Sequence, residues 1–123
     1  MNARQAYMSN MVTTASGPSL LLLLVDRLRL DVERAMDAQE RADHGAARVF
    51  LLHAQDIVTE LSGSLDADAC PGGANLLAIY DWLFTELVQA NVKRDVGVTR
   101  GCLSIATQVA DIWHEAAAHA VVA

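Results

Sequence analysis

Most of the marks that announce a chemistry are missing from this 123-residue chain. Cysteine is scarce: Cys70 and Cys102 stand far apart and form no Cys-x-x-Cys pair, so neither a zinc site nor a disulfide framework is indicated. An excess of positive charge is also lacking. Nine Lys and Arg against fifteen Asp and Glu leave a formal charge of -6, which argues against nucleic acid as a partner, because a phosphate-binding surface carries a clustered basic footprint. No apolar run reaches the roughly 18 to 20 residues of a membrane span. The one suggestive stretch, Leu20 to Val25, ends at once in Asp26, Arg27 and Arg29. A polar Thr-Thr-Ala-Ser-Gly-Pro segment separates it from Arg4, which is not the order of a signal peptide. The expectation is a cytoplasmic chain that does not insert into a membrane.

Catalytic and cofactor motifs are equally absent. There is no Gly-x-x-x-x-Gly-Lys, no Gly-x-Gly-x-x-Gly and no Gly-x-Ser-x-Gly. His114-Glu115-Ala116-Ala117-Ala118-His119 resembles a zinc protease string but is one residue too long, since i and i+5 diverge by about 140° on a helix. A di-iron bundle needs Glu-x-x-His, which does not occur. Asp111 and His114 read as a helix-stabilising pair, His44 as a loop residue and His53 as a helix flank. No catalytic, metal-binding or cofactor-binding residue is assigned, and no cofactor is expected.

What is present is helical periodicity. Only two prolines occur, Pro18 and Pro71, and both sit where a helix can begin or a loop must form. Residues 1–16 show no sustained period and read as a flexible N-terminal arm, with residues 17–123 forming one helical domain. A first helix from about Pro18 to Ala42 places Leu21, Leu24, Val25, Leu28, Val32, Ala35 and Met36 on one face. Asp43-His44-Gly45 breaks the pattern, and a second helix to Asp66 aligns Ala47, Phe50, Ala54, Ile57, Val58, Leu61 and Leu65. After the Cys70-Pro71-Gly72-Gly73 loop, a third helix from about Ala74 to Asn91 aligns Leu76, Leu77, Tyr80, Leu83, Phe84, Leu87 and Val88. Beyond a hinge at Lys93 to Asp95, Val98, Cys102, Ile105, Val109, Ile112 and Ala116 alternate four and three residues apart, the spacing of a bundle seam. Short connections between four such helices predict an all-α, antiparallel four-helix bundle. No strand-length alternation competes with it.

Some apolar side chains fall off these faces: Leu23 and Leu30 on the first helix, Leu52 on the second, Ile79 and Trp82 on the third, Val96 and Leu103 on the fourth. Scattered surface leucines need no explanation one by one, but as a set they outline a partner-binding surface. Such a surface suits an amphipathic helix or an extended apolar segment laid between bundle helices. Tyr7, Met11 and Val12 in the arm can cover the same kind of groove until a ligand displaces them. The exposed residues also leave open a homodimer of the free protein.

Four short segments in fixed order carry a family likeness: AYMSNMVTTAS at 6–16, the leucine run ending in Val25-Asp26, ELSGSLD at 60–66, and NLLAIYDWLFTELVQAN at 75–91. From Ala6 to about Glu115 the chain resembles the FliS family of flagellin export chaperones. Ala6-Tyr7, and Val12 with Thr14, Ala15 and Ser16, match the family's N-terminal pattern. Ser64-Leu65-Asp66 ends the second helix, Tyr80 and Trp82 take the aromatic pair, and Ala90-Asn91 matches Ala-Asn. Leu24-Val25-Asp26-Arg27 departs from the family's Leu-Tyr-Asp-Gly at Val25 and Arg27, and Gly17 stands where proline is usual. The resemblance implies a small helical bundle, not an enzyme. It would bind the disordered C-terminal region of flagellin in the cytoplasm, prevent its premature polymerisation and aid delivery to the export gate, a component of which becomes a further candidate partner. Rival readings are an adaptor bundle for another secreted client and a metal-binding or histidine phosphotransfer bundle.

Overall fold

The computed structural model describes the backbone of residues 17–122 and the side chains of residues 19–119. The expected arm, with Tyr7, Met11 and Val12, lies outside the described residues. Within them are four helices and no strand: α1 Gly17–Glu40, α2 His44–Ser64, α3 Gly73–Lys93 and α4 Val96–Val122.

Local chemistry explains each break. At the end of α1 the amide of Ala42 donates to the Gln39 carbonyl and that of Asp43 to the Ala38 carbonyl, at 3.0 and 2.8 Å. These are the two bonds of a Schellman cap, with Ala42 left-handed at φ 56°. Asp43 then accepts from the Ala46 amide and caps α2, so Asp43-His44-Gly45 starts the second helix and His44 is its first residue, where the sequence pattern suggested a break. Between α2 and α3, Gly72 takes a left-handed φ of 75°. A Cβ on Gly73 would lie 2.5 Å from the Ala67 carbonyl oxygen, so only glycine admits this close approach. In the last turn Arg94 is left-handed at φ 52°, and Asp95 caps α4 by accepting from the amides of Gly97 and Val98 at 2.8 and 3.3 Å.

Each helix packs against two others: α1 on α2 and α4, α3 on α2 and α4. Cross-links between early and late residues show that neighbours run antiparallel. Asp26 of α1 meets His114 of α4, and Tyr80 of α3 accepts from Trp113 of α4. The turns at 41–43 and 94–95 therefore share one end of the bundle, the turn end, and the loop at 65–72 lies at the other, the loop end. The expected antiparallel four-helix bundle is the observed fold.

One core joins all four helices through Val25, Leu28, Leu51, Leu61, Leu83, Leu87, Cys102 and Val109, among others. Each such large side chain contributes about 1.5 to 3 kcal/mol when fully buried. The helical phase differs from expectation in places. On α1 the buried row includes Leu20 and Ala38, while Leu21, Leu24 and Met36 are half-buried. On α2 Leu51 is fully buried and Phe50 and Leu65 only flank the core; on α3 Leu77 does the same and Phe84 is exposed. The largest correction is on α4. Its buried row is Thr99, Cys102, Ala106, Val109 and Ala110, while Ile105 flanks the core and Ile112 is 49% exposed. Two stripes sharing Cys102 and Val109 satisfy the same 3.6-residue period. The one with small residues at the contact lets α4 approach its neighbours closely, and the large isoleucines are left outside.

Candidate functional site

The grooves between helices are lined by apolar side chains from the edge of the core and from outside it. Between α1 and α2 a groove of about 690 Å³ is lined by Leu20, Leu23, Leu24, Leu30 and Ile57, with Asp26, Arg27, Arg29 and His53 at its edges. Leu23 and Leu30, a heptad apart on α1, are thus brought together, as the sequence pattern suggested. Between α3 and α4, Ile79 and Trp82 form a smaller hollow with Ala78 and Ile105, about 260 Å³. Between α2 and α3, Val58, Thr59, Ser62, Asp81, Phe84 and Thr85 border a third hollow of about 350 Å³. Leu103 and Ile79 also pack against the core. Leu52 and Val96 are half-buried and lie outside the linings of these three grooves. Tyr7, Met11 and Val12 lie outside the described residues.

The sequence pattern assigns Leu24, Phe84, Ile105 and Ile112 to the core and so misses them as groove or surface residues, whereas Ile57 is in the core as expected and also lines a groove. The available signal was the width of the apolar stripes: a helix with more large apolar residues than its two neighbours can cover leaves some in a groove.

Two of the residues edging the α1–α2 groove, Arg27 and His53, hold a buried carboxylate. Asp31 is completely buried. Its Oδ1 accepts from Arg27 Nε at 3.0 Å, and its Oδ2 meets His53 Nδ1. A buried carboxylate is tolerable only with such partners, and both of them edge the groove. His53 is therefore a cross-helix partner and not a free flank. His114 pairs with Asp26 at 2.7 Å and ties α4 to α1, in place of the expected contact with Asp111.

Charge is distributed unevenly along the bundle. The loop-end half, residues 17–28, 55–82 and 107–122, carries Asp26, Asp56, Glu60, Asp66, Asp68, Asp81, Asp111 and Glu115 against Arg27 alone. The turn-end half balances its acids and bases. Most of the residues lining these grooves, including exposed Leu23 and Trp82, belong to the acidic half.

No cluster of three or more His, Cys, Asp or Glu able to hold a metal occurs among the described residues. Burial, reinforced by the Glu86 charge, pushes the Cys102 thiol up to about 12, so it stays protonated and unreactive at neutral pH. Burial likewise raises the Tyr80 phenol, although the hydrogen bond from Trp113 opposes the shift. No helix among the described residues is long and apolar enough to cross a membrane.

The profile of the family described as "Flagellar protein FliS" matches residues 1–120. The chain belongs to the FliS family. It is also 32% identical over 115 residues to the "Flagellar secretion chaperone FliS" of Bacillus subtilis (strain 168), a match covering 94% of this chain and 86% of that relative. In this FliS-family protein the aromatic pair has divided roles: Tyr80 is buried and bonded to Trp113, whereas Trp82 is 45% exposed beside the α3–α4 hollow. The family position at Arg27, glycine in the usual pattern, holds here the guanidinium that supports Asp31.

Proposed function

We propose that this protein is a cytoplasmic flagellar secretion chaperone. Its client is the C-terminal region of flagellin, which it keeps from polymerising before delivery to the flagellar type III export apparatus. Membership of the FliS family carries this reading. The grooves supply the physics: a disordered segment can lay apolar side chains along α1–α2 and α3–α4, where Leu23 and Trp82 stand open to solvent. Ordering such a segment costs about 2 to 5 kcal/mol or more. Each large side chain fully buried returns about 1.5 to 3 kcal/mol, so several must bind together and the contact is long. We infer further that Tyr7, Met11 and Val12, which lie outside the described residues, guard one groove until a client displaces them.

Titration with a peptide of the host flagellin's C-terminal region tests the proposal. One-to-one saturable heat, a negative heat-capacity change and a blue shift of Trp82 emission are expected. No heat at high micromolar peptide, with the bundle folded, would refute flagellin as the client. Removing residues 1–14 should tighten client binding without unfolding the bundle; unchanged affinity would refute the shielding role alone.

A further inference from the structure

We propose that the turn end of the bundle carries an oxyanion-binding pocket, separate from the client grooves and independent of the client's identity. The pocket, about 230 Å³, lies where the end of α1, the start of α2 and the end of α3 meet, and Gln39, His44, Arg48, Asn91 and Arg94 line it. Several of the nitrogen atoms on its lining side chains have no partner. Neither guanidinium, Arg48 nor Arg94, takes part in a hydrogen bond or ion pair among the described residues. The Nδ1 of His44 is shut off from solvent without a partner. Gln39, more than nine-tenths buried, uses one Nε2 proton on the Ala90 carbonyl at 3.2 Å and accepts from Thr99 at 2.6 Å; its second Nε2 proton is unclaimed.

No carboxylate lines the pocket. Of the three carboxylates adjacent in sequence to its lining, Asp43 accepts from the Ala46 amide, Asp95 accepts from the amides of Gly97 and Val98, and Glu40 is exposed and outside the lining. A water molecule offers only two acceptor sites and carries no charge to set against the two guanidinium groups. An oxyanion meets both needs, since its oxygens accept several bonds and planar guanidinium groups match phosphate and carboxylate geometry. The pocket falls below the about 300 Å³ at which ordinary small-molecule sites begin, so it suits one anionic group and not a nucleotide. Both arginines are exposed, which gives the anion a way in. Its source is either free phosphate or a carboxylate presented by a docked protein.

Nuclear magnetic resonance of the full chain decides the matter. The His44 ring, the Arg48 Nε–H and the Gln39 side-chain amide are followed while sodium phosphate or sodium acetate is added, with sodium chloride at matched ionic strength as control. Saturable shifts at all three groups with at least one oxyanion, absent with chloride, are expected. A response to phosphate alone assigns the free ion, and a response to acetate assigns the carboxylate. Arg48→Gln combined with Arg94→Asn should weaken binding by about tenfold or more for each charge-assisted bond lost; Asn is chosen because it tolerates a left-handed backbone. If the double variant loses its fold by circular dichroism, the single exposed change Arg48→Gln serves instead. Shifts that track chloride, or saturable shifts that survive loss of the guanidinium, would overturn the assignment.

Discussion

The two ends of this bundle are built on different terms. At the turn end, short capped turns and a buried polar link dominate: Gln39 of α1 bonds to both Ala90 of α3 and Thr99 of α4, and cationic and anionic residues balance. Toward the loop end, polar residues give way to open apolar grooves, and carboxylates outnumber the single arginine by eight to one. A directional polar link specifies one arrangement of helices. Unfilled grooves do the opposite, leaving apolar surface that a partner can cover. The difference teaches that the molecule spends its geometric precision at one end and keeps its adhesive surface at the other.

The sharpest way to break this division is to attack its border, where Asp31 is buried between Arg27 and His53. Replacing both partners with leucine leaves a buried carboxylate alone, and urea unfolding should show a loss of about 3 kcal/mol. Adding Asp31→Asn should recover much of it. Trp82→Ala separates the two ends from the other side. It should weaken flagellin-peptide binding about 10- to 100-fold in calorimetry, the worth of one large apolar contact, and move the melting temperature little because the indole is half exposed.

Gln39→Leu should do the reverse. It strands the Ala90 carbonyl, costs about 1 to 2 kcal/mol of stability, and leaves peptide affinity unchanged; an altered affinity would mean that the ends are coupled. Smaller gains are expected where L-residues hold left-handed backbone, and Ala42→Gly and Arg94→Gly should each stabilise by up to about 1 kcal/mol. The last effect is invisible at neutral pH. Because the folded state raises the Cys102 thiol from 9 to about 12, the unfolded chain releases that proton first on alkalinisation. Stability is therefore full below pH 9 and falls as pH rises toward 12, and urea midpoints for Cys102→Ala should fall less steeply across that window.

How far the sequence can be read follows from which residues are concerned. The helices were legible because 3.6-residue periodicity and strong punctuation coincide: Pro71-Gly72 breaks the chain just before α3 begins at Gly73, and Asp95 caps the helix after the hinge. The family likeness was legible because the order and spacing of its segments survive departures at Gly17, Val25 and Arg27. The phase of each helix was less so. On α4 the stripe through Ile105 and Ile112 is more hydrophobic than the one through Thr99 and Ala106, yet the second is buried, since steric fit between neighbours chose it over hydrophobicity alone. Asp31 gave no sign of its burial, because its partner His53 lies on another helix and only packing brings them together.

By itself, then, the sequence determined an all-helical chain, the places where it turns, the absence of familiar catalytic motifs and the family to which it belongs, all of which depend on residues near one another or on their linear order. Tertiary structure alone decided that Phe84, Ile105 and Ile112 lie in grooves or at the surface, that Asp31 is held between Arg27 and His53, and that Arg48, Arg94 and His44 converge on one pocket. Those features depend on rotation and distance between helices, and the close packing that sets them is a property of all four helices at once.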